Sequence, residues 1–237
     1  MYLYSLLAAS EQTTSIVKWC SVGGVVLALA LLVLIAFFKG NKHFQAKQIA
    51  FAGTCVGTSF ALSMIKFSPI EYGGSITLAS FVPILIYAYV YGVADGLLVG
   101  FVHGALNFIE HPYILTPATL IFDYMLAFMS VGAMGFFGKL SRKRKECLPL
   151  VLGAICVFAL RFLSHLVSGM IFFSAGEVWV TFPNWAMGNP FIYSLIYQCV
   201  YIPADALIAI ITLIGLCKSG TVDTILSIMK VKKTRNQ

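Results

Sequence analysis

The sequence predicts an all-α integral membrane protein, and three observations carry that prediction. Of the 237 residues, 59% are hydrophobic and only 11% are charged, and the mean hydropathy of +0.90 lies well outside the range of soluble domains. The apolar residues fall in windows of about 20, the length of helix that crosses a ~30 Å hydrocarbon layer. The basic residues behind the net charge of +7 gather at Lys39 to Lys47, Lys139 to Lys145 and Lys218 to Arg235. That is how positive-inside loops look, rather than a nucleic-acid-binding patch.

Seven windows qualify, at about 16–38, 46–66, 76–92, 93–110, 116–138, 148–174 and 191–217. The first lacks a basic start and a small-residue cleavage site and ends in Lys39 and Lys42, so it reads as a retained helix with its N-terminus outside. The second carries small residues at helical repeat: Ala46, Ala50 and Thr54, and Gly53, Gly57 and Ala61. Such faces let helices pack closely in lipid, either within this chain or against another subunit. The third and fourth form a tight pair. Asp95 between them is expected as a turn residue on the inner side, and His103 as a packing or helix-capping histidine.

Alternate threading puts the basic stretches 39–47, 139–147 and 218–237 on one side, with the C-terminus cytoplasmic. The loops 67–75, 111–115 and 175–190 then lie on the other side. Those outer loops read "SPIEYGGS", "EHPYILTP" and "SAGEVWVTFPNWAMGNP", turn-forming and aromatic sequences suited either to a lid or to ordinary connections. No Walker-type glycine loop occurs, so ATP chemistry, if any, belongs to a partner. The cysteines Cys20, Cys55, Cys147, Cys156, Cys199 and Cys217 show no C-x-x-C spacing and sit mostly in apolar segments. Neither a disulfide nor a metal site is expected from them.

The last three spans carry the polar residues. An ionisable group at bilayer depth costs about 2.5–3.5 kcal/mol on insertion scales, so each needs a partner or a water-filled cavity. At 1.5 Å rise per residue, Asp123, His165 and Gln198 all lie roughly 10–13 Å below the outer ends of their helices. Arg161, His165, Gly169 and Phe173 recur every four residues and therefore share one helical face. Gly169 reads as a gap that admits a flat ligand or a neighbouring helix. Asp123, beside Tyr124, is a countercharge either for Arg161 or for a cationic ligand. The purely structural alternative has an Arg161–Asp123 pair, a hydrogen-bonded core histidine and a helix-packing glycine; Asp205, just after Pro203, is expected to be structural.

Three co-linear stretches point further: "ITLASFVPILIYAYVYGVADGLLVGFVHGALNFIEHPYILTPATLIFDYMLAF", "LRFLSHLVSGMIFF" and "YSLIYQCVYIPADAL". Over about residues 46–217 the chain resembles the thiamine-specific substrate-binding subunit, or S component, of energy-coupling factor transporters. The resemblance implies a six-helix S-component core, 46–217, preceded by an extra transmembrane helix and basic linker, 1–45, and followed by a basic cytoplasmic tail, 218–237. It implies a vitamin pocket facing outward in the plasma membrane, with no cofactor in this chain and ATP used by partner ATPase subunits beside a transmembrane coupling subunit.

By position, the resemblance places Asp123 opposite the cationic thiazolium in place of a glutamate, with Tyr124 beside it. Arg161 stands where a lysine is usual near the hydroxyethyl end, and Gln198 where an asparagine contacts the aminopyrimidine. His165, Gly169, Tyr113 and Tyr193 match as they stand. Phe173 replaces a stacking tryptophan, and Gly73 and Gly74 stand where some members have another. The Ala50, Gly53, Thr54, Gly57 face becomes the implied docking surface. The substrate expected is thiamine or a close precursor or analogue. A stand-alone carrier using Asp123 and His165 as a proton relay is the competing function. An intramembrane enzyme built on Ser164 or Ser168 is set aside, because no H-E-x-x-H or G-x-S-x-G motif is present.

Overall fold

The computed structural model describes residues 45–68, 74–110, 119–140, 147–174 and 180–229. The expected first span at 16–38 lies outside the described residues. Helix α1, Ala46–Ser63, leads into a two-stranded antiparallel hairpin, β1 (Lys66–Phe67) and β2 (Ile76–Thr77), with Lys66 opposite Thr77. Helix α2, Phe81–Tyr91, follows, then α3, Val93–Glu110. Helix α4 is a composite rod: a π-helical stretch Leu120–Leu126, Ala127–Met129, a 3-10 turn Ser130–Ala133, and Met134–Leu140. Helix α5 is Leu148–Ser174, α6 the single turn Asn184–Met187, α7 Pro190–Lys218 and α8 Thr221–Met229.

The protein is a multi-pass membrane protein. Among the described residues, α3, α4, α5 and α7 are long and apolar enough to cross a bilayer. The window at 76–92 is not the continuous span expected. Its first residues form β2, Ala79 turns the chain at φ +56°, and the remaining helix α2 has 11 residues, only about 16 Å of rise. Helix α2 instead forms the centre of the bundle, with residues from Phe81 to Tyr89 buried on almost every side. It ends at Gly92, whose φ of +103° is left-handed and favours glycine. Asp95 is not in a loop but in the first turn of α3, where a helix dipole favours an acid.

The closest helix packing in this half uses glycines. A Cβ on Gly96, Gly100 or Gly104 of α3 would lie 2.9 Å from Gly132 Cα, or press on the carbonyl oxygens of Phe128 and Tyr124, respectively. Small residues every four positions let the two backbones touch. Among the described residues the corresponding stripe on α1 is unused: Ala50, Gly53, Thr54 and Gly57 are all exposed, and nothing described approaches a Cβ at Gly53 or Gly57 within 4 Å.

Helices α5 and α7 run antiparallel and form the other half. Asn189 caps α7, its Oδ1 accepting from the N–H groups of Phe191 at 3.0 Å and Ile192 at 3.4 Å, ahead of Pro190 in the first turn. Along the pair, Arg161 meets Asp205, His165 meets Tyr201 and Phe173 meets Tyr193. Each step along α5 is matched by an equal step back along α7. At the far end the helices are joined by a disulfide, Cys147–Cys217, across 70 residues of sequence. The expectation of no disulfide is thereby corrected; the pairing follows from two helix ends meeting in space, which cysteine spacing does not encode. Helix α8, within the expected basic tail, packs on α2 and α7 through Val222, and Lys47 Nζ donates to the Ile228 carbonyl at 2.6 Å.

Candidate functional site

The π-helical stretch brings the site together. A wide turn, with the Ala127 N–H reaching back to the Phe122 carbonyl, changes the direction of side chains relative to an α-helix; such turns recur at functional sites. Asp123 sits in it and faces α5. Its Oδ1 is 2.7 Å from His165 Nδ1, and its Oδ2 accepts from Ser168 Oγ at 2.7 Å. Ser164, one turn earlier on α5, donates to the Phe122 carbonyl at 2.5 Å. On α7, Gln198 Nε2 donates to the His165 carbonyl at 3.3 Å, and the Tyr201 hydroxyl donates to Gln198 Oε1 at 2.5 Å. Asp123, His165 and Gln198, expected at one depth, are thus joined in one network. Tyr201 is not singled out from the sequence, and Ser168 only as an enzymatic serine that is set aside, although each lies three residues from an identified member on the same helical face.

Arg161 belongs elsewhere. Its Nη1 donates to Asp205 Oδ2 at 2.7 Å, and Asp205 Oδ1 accepts from the Thr77 N–H at 3.0 Å and the Thr77 hydroxyl at 2.8 Å. The guanidinium lies 4.3 Å above the Phe81 ring, with Phe128 and Phe158 also within 6 Å. The structural alternative that pairs Arg161 with Asp123 therefore does not hold, and Arg161 is not left free for a ligand either, because Asp205 takes its guanidinium. Asp205 is the counterion, structural as anticipated, because it stands one turn beyond Tyr201 and directly opposite Arg161.

The two carboxylates differ in access as well as in partner. The Asp205 side chain is 2% exposed and neutralised by Arg161, whereas that of Asp123 is 26% exposed. Among the described residues no lysine or arginine forms an ion pair with Asp123. His165 Nε2 is buried and has no hydrogen-bond partner among them.

Towards the end of the bundle that carries α6, the rings of Phe173 and Tyr193 meet at 4.1 Å between centroids, with Phe182 5.0 Å from Tyr193 and Tyr197 5.9 Å from Phe173. The Tyr193 hydroxyl donates to the Val180 carbonyl and accepts from the Val180 N–H, both at 2.8 Å, which pins the chain before α6 onto α7. Gly74, after the hairpin loop, lies flat on the Tyr201 ring, where any Cβ would overlap the ring carbons. Tyr124 points away from this cluster, edge to face with Phe108 at 5.2 Å. The space a side chain at Gly169 would need is taken by Ser194 of α7, whose Oγ would lie 2.2 Å from the Cβ. Gly169 thus serves helix packing here and is not an open gap for a ring. Tyr113 and most of the outer-loop residues lie outside the described residues. His103 is a core histidine, enclosed by Phe81 and Phe128 and hydrogen-bonded to Asn107.

Among the described residues the arrangement offers a reachable carboxylate with no lysine or arginine paired to it, an adjacent imidazole, an amide and a nest of aromatic rings. That set suits a small flat cation. Residues 49–224 match the model of a family described as thiamine transporter protein. The thiamine transporter ThiT of Bacillus subtilis is 29% identical over 155 residues, 62% of this chain and 77% of that protein. A solved structure of ThiT from Listeria monocytogenes superposes with a TM-score of 0.63 at 22% identity, over 73% of this chain and 94% of that one. At that identity it shows the fold.

Proposed function

Since the family match spans most of the chain, which thus belongs to the thiamine transporter family, we propose that it is the thiamine-capturing S component of an ATP-driven energy-coupling factor importer. The observation that carries the reading is the state of Asp123: a carboxylate near the middle of the bundle, held by neutral or weakly basic donors and still partly accessible. A buried carboxylate without a cation is costly, and a monocationic ligand supplies the missing charge. In this reading Asp123 faces the thiazolium, His165 Nε2 and Gln198 face polar edges of the ligand, and Phe173, Tyr193 and Tyr197 contact its rings. Tyr124, Gly169 and Arg161 support these residues from the positions described above; Tyr113, in the second outer loop, 111–115, joins them in this reading. The exposed Ala50, Gly53, Thr54, Gly57 stripe of α1 is the docking face for the transmembrane coupling subunit, and the ATPase subunits supply the energy.

The test is ligand release and charge selectivity. Protein purified from cells in rich medium and then denatured is expected to release a thiamine-like compound detectable by mass spectrometry. Asp123→Asn is expected to weaken thiamine binding by about 2–5 kcal/mol, the usual cost of truncating one partner of a buried charge pair. It should change binding of an analogue with an uncharged ring in place of the thiazolium far less. Equal losses for both ligands would sink the reading. The 2.7 Å Asp123–His165 contact also suits a proton relay in a stand-alone carrier; uptake that survives loss of the ATPase partner would favour that second reading.

A further inference from the structure

We infer that Ser168 is a positioning residue for Asp123, holding the carboxylate in place without neutralising it. The inference rests on the reading of Asp123 as countercharge to a cationic ligand. Ser168 is buried, so its hydroxyl has little water to bond. A helical serine in that situation usually bonds back to the carbonyl four residues earlier. This one instead donates across to Asp123 Oδ2 at 2.7 Å, while His165, three residues before it, takes Oδ1 at 2.7 Å. Both oxygens are therefore gripped from one helix, and the lone pairs left over face away from α5. Ser164 adds a second hold one turn lower, on the carbonyl of the preceding residue, Phe122. The two serines fix the π-helical stretch and its side chain together.

The chemistry of the donors gives this a purpose. One turn deeper, α5 holds Asp205 of α7 with an arginine, and its charge is spent on the fold. A hydroxyl donor orients a carboxylate equally well and leaves its full negative charge for a ligand. Pre-organisation of this kind raises affinity by removing the ordering cost at binding.

The experiment uses the full-length chain purified in detergent and equilibrium binding of two probes, thiamine and its analogue with an uncharged five-membered ring. A hydrogen bond to a charged group contributes enough that Ser168→Ala should weaken thiamine roughly 10-fold or more. The neutral analogue should stay within about 2-fold, and Ser168→Thr should restore thiamine binding, because the hydroxyl is what counts. If the alanine variant does not fold, Ser168→Cys, of similar size and a weaker donor, should fall between wild type and the Asp123→Asn protein. Equal weakening of both probes, or no loss for thiamine, overturns the inference. Run in parallel, Asp123→Asn separates the two claims. Should Asp123→Asn weaken thiamine far more than the neutral analogue while Ser168→Ala weakens both probes equally or neither, only the positioning role falls; should Asp123→Asn weaken both probes equally, both fall.

Discussion

Among the described residues Asp205 accepts three hydrogen bonds, one of them from an arginine, and Asp123 two, which separates an acid neutralised by the fold from one that is not. Breaking the Arg161–Asp205 pair leaves a buried guanidinium without its counterion, a change that ordinarily costs about 3–5 kcal/mol. Asp205→Ala is therefore expected to lower the thermal midpoint of the detergent-solubilised protein sharply. Replacing both partners at once, Arg161→Met with Asp205→Leu, should recover much of that loss. A double variant as unstable as Asp205→Ala would show that Thr77, and not the ion pair, is what Asp205 holds. The spacing of four places Arg161 on one face with His165, but it leaves open which acid, if any, Arg161 meets; the structure gives it Asp205. Depth along a helix can be estimated from residue numbers, whereas the partner depends on how α5 and α7 are rotated against each other.

At the level of elements, the helices that cross the bilayer were largely foreseen, because runs of apolar residues report them directly. What escaped notice depends on local polar detail. Ala79, at φ +56°, breaks the helix before Phe81, with Thr77 and Ser80 hydrogen-bonded to each other at 2.7 Å around it, and nothing in the hydropathy of 76–92 marks the turn out. Likewise the π-helical stretch at Asp123 leaves no trace in the apolar pattern, and neither does the meeting of Cys147 with Cys217. The small residues of α1 stand out in the sequence, while the tighter instance, Gly96, Gly100 and Gly104 of α3, was not singled out. The contact between α5 and α7 is equally intolerant at Gly169. Gly169→Ala drives a methyl group against Ser194 and is expected to destabilise the pair by about 1–3 kcal/mol, as overpacking does. Ser194→Gly in the same chain should relieve most of it, measured by thermal unfolding; no relief would mean that the strain arises within α5 itself.

For the whole molecule, the division is between a half built on α3 and α4, locked by glycines, and a half built on α5 and α7, with Asp123 of α4 hydrogen-bonded across to α5. The free stripe on α1 belongs to neither. Gly57→Leu is expected to leave thiamine binding by the purified protein unchanged and to abolish uptake in cells that carry the energising subunits, because the substitution fills an open face. Uptake at the wild-type rate would remove α1 as a docking surface and would fit a carrier that works alone. The matched steps of α5 and α7 have one more effect. Layers four residues apart on a helix are spaced by about 6 Å, so the backbone offers positions for ligand-contacting groups only on a coarse ruler. Finer adjustment to a molecule's length is left to side chains, where exchanging aspartate for glutamate or asparagine for glutamine moves a polar atom by about one bond. A protein of this design changes its preferred ligand by vernier, one methylene at a time, while the helices keep their register.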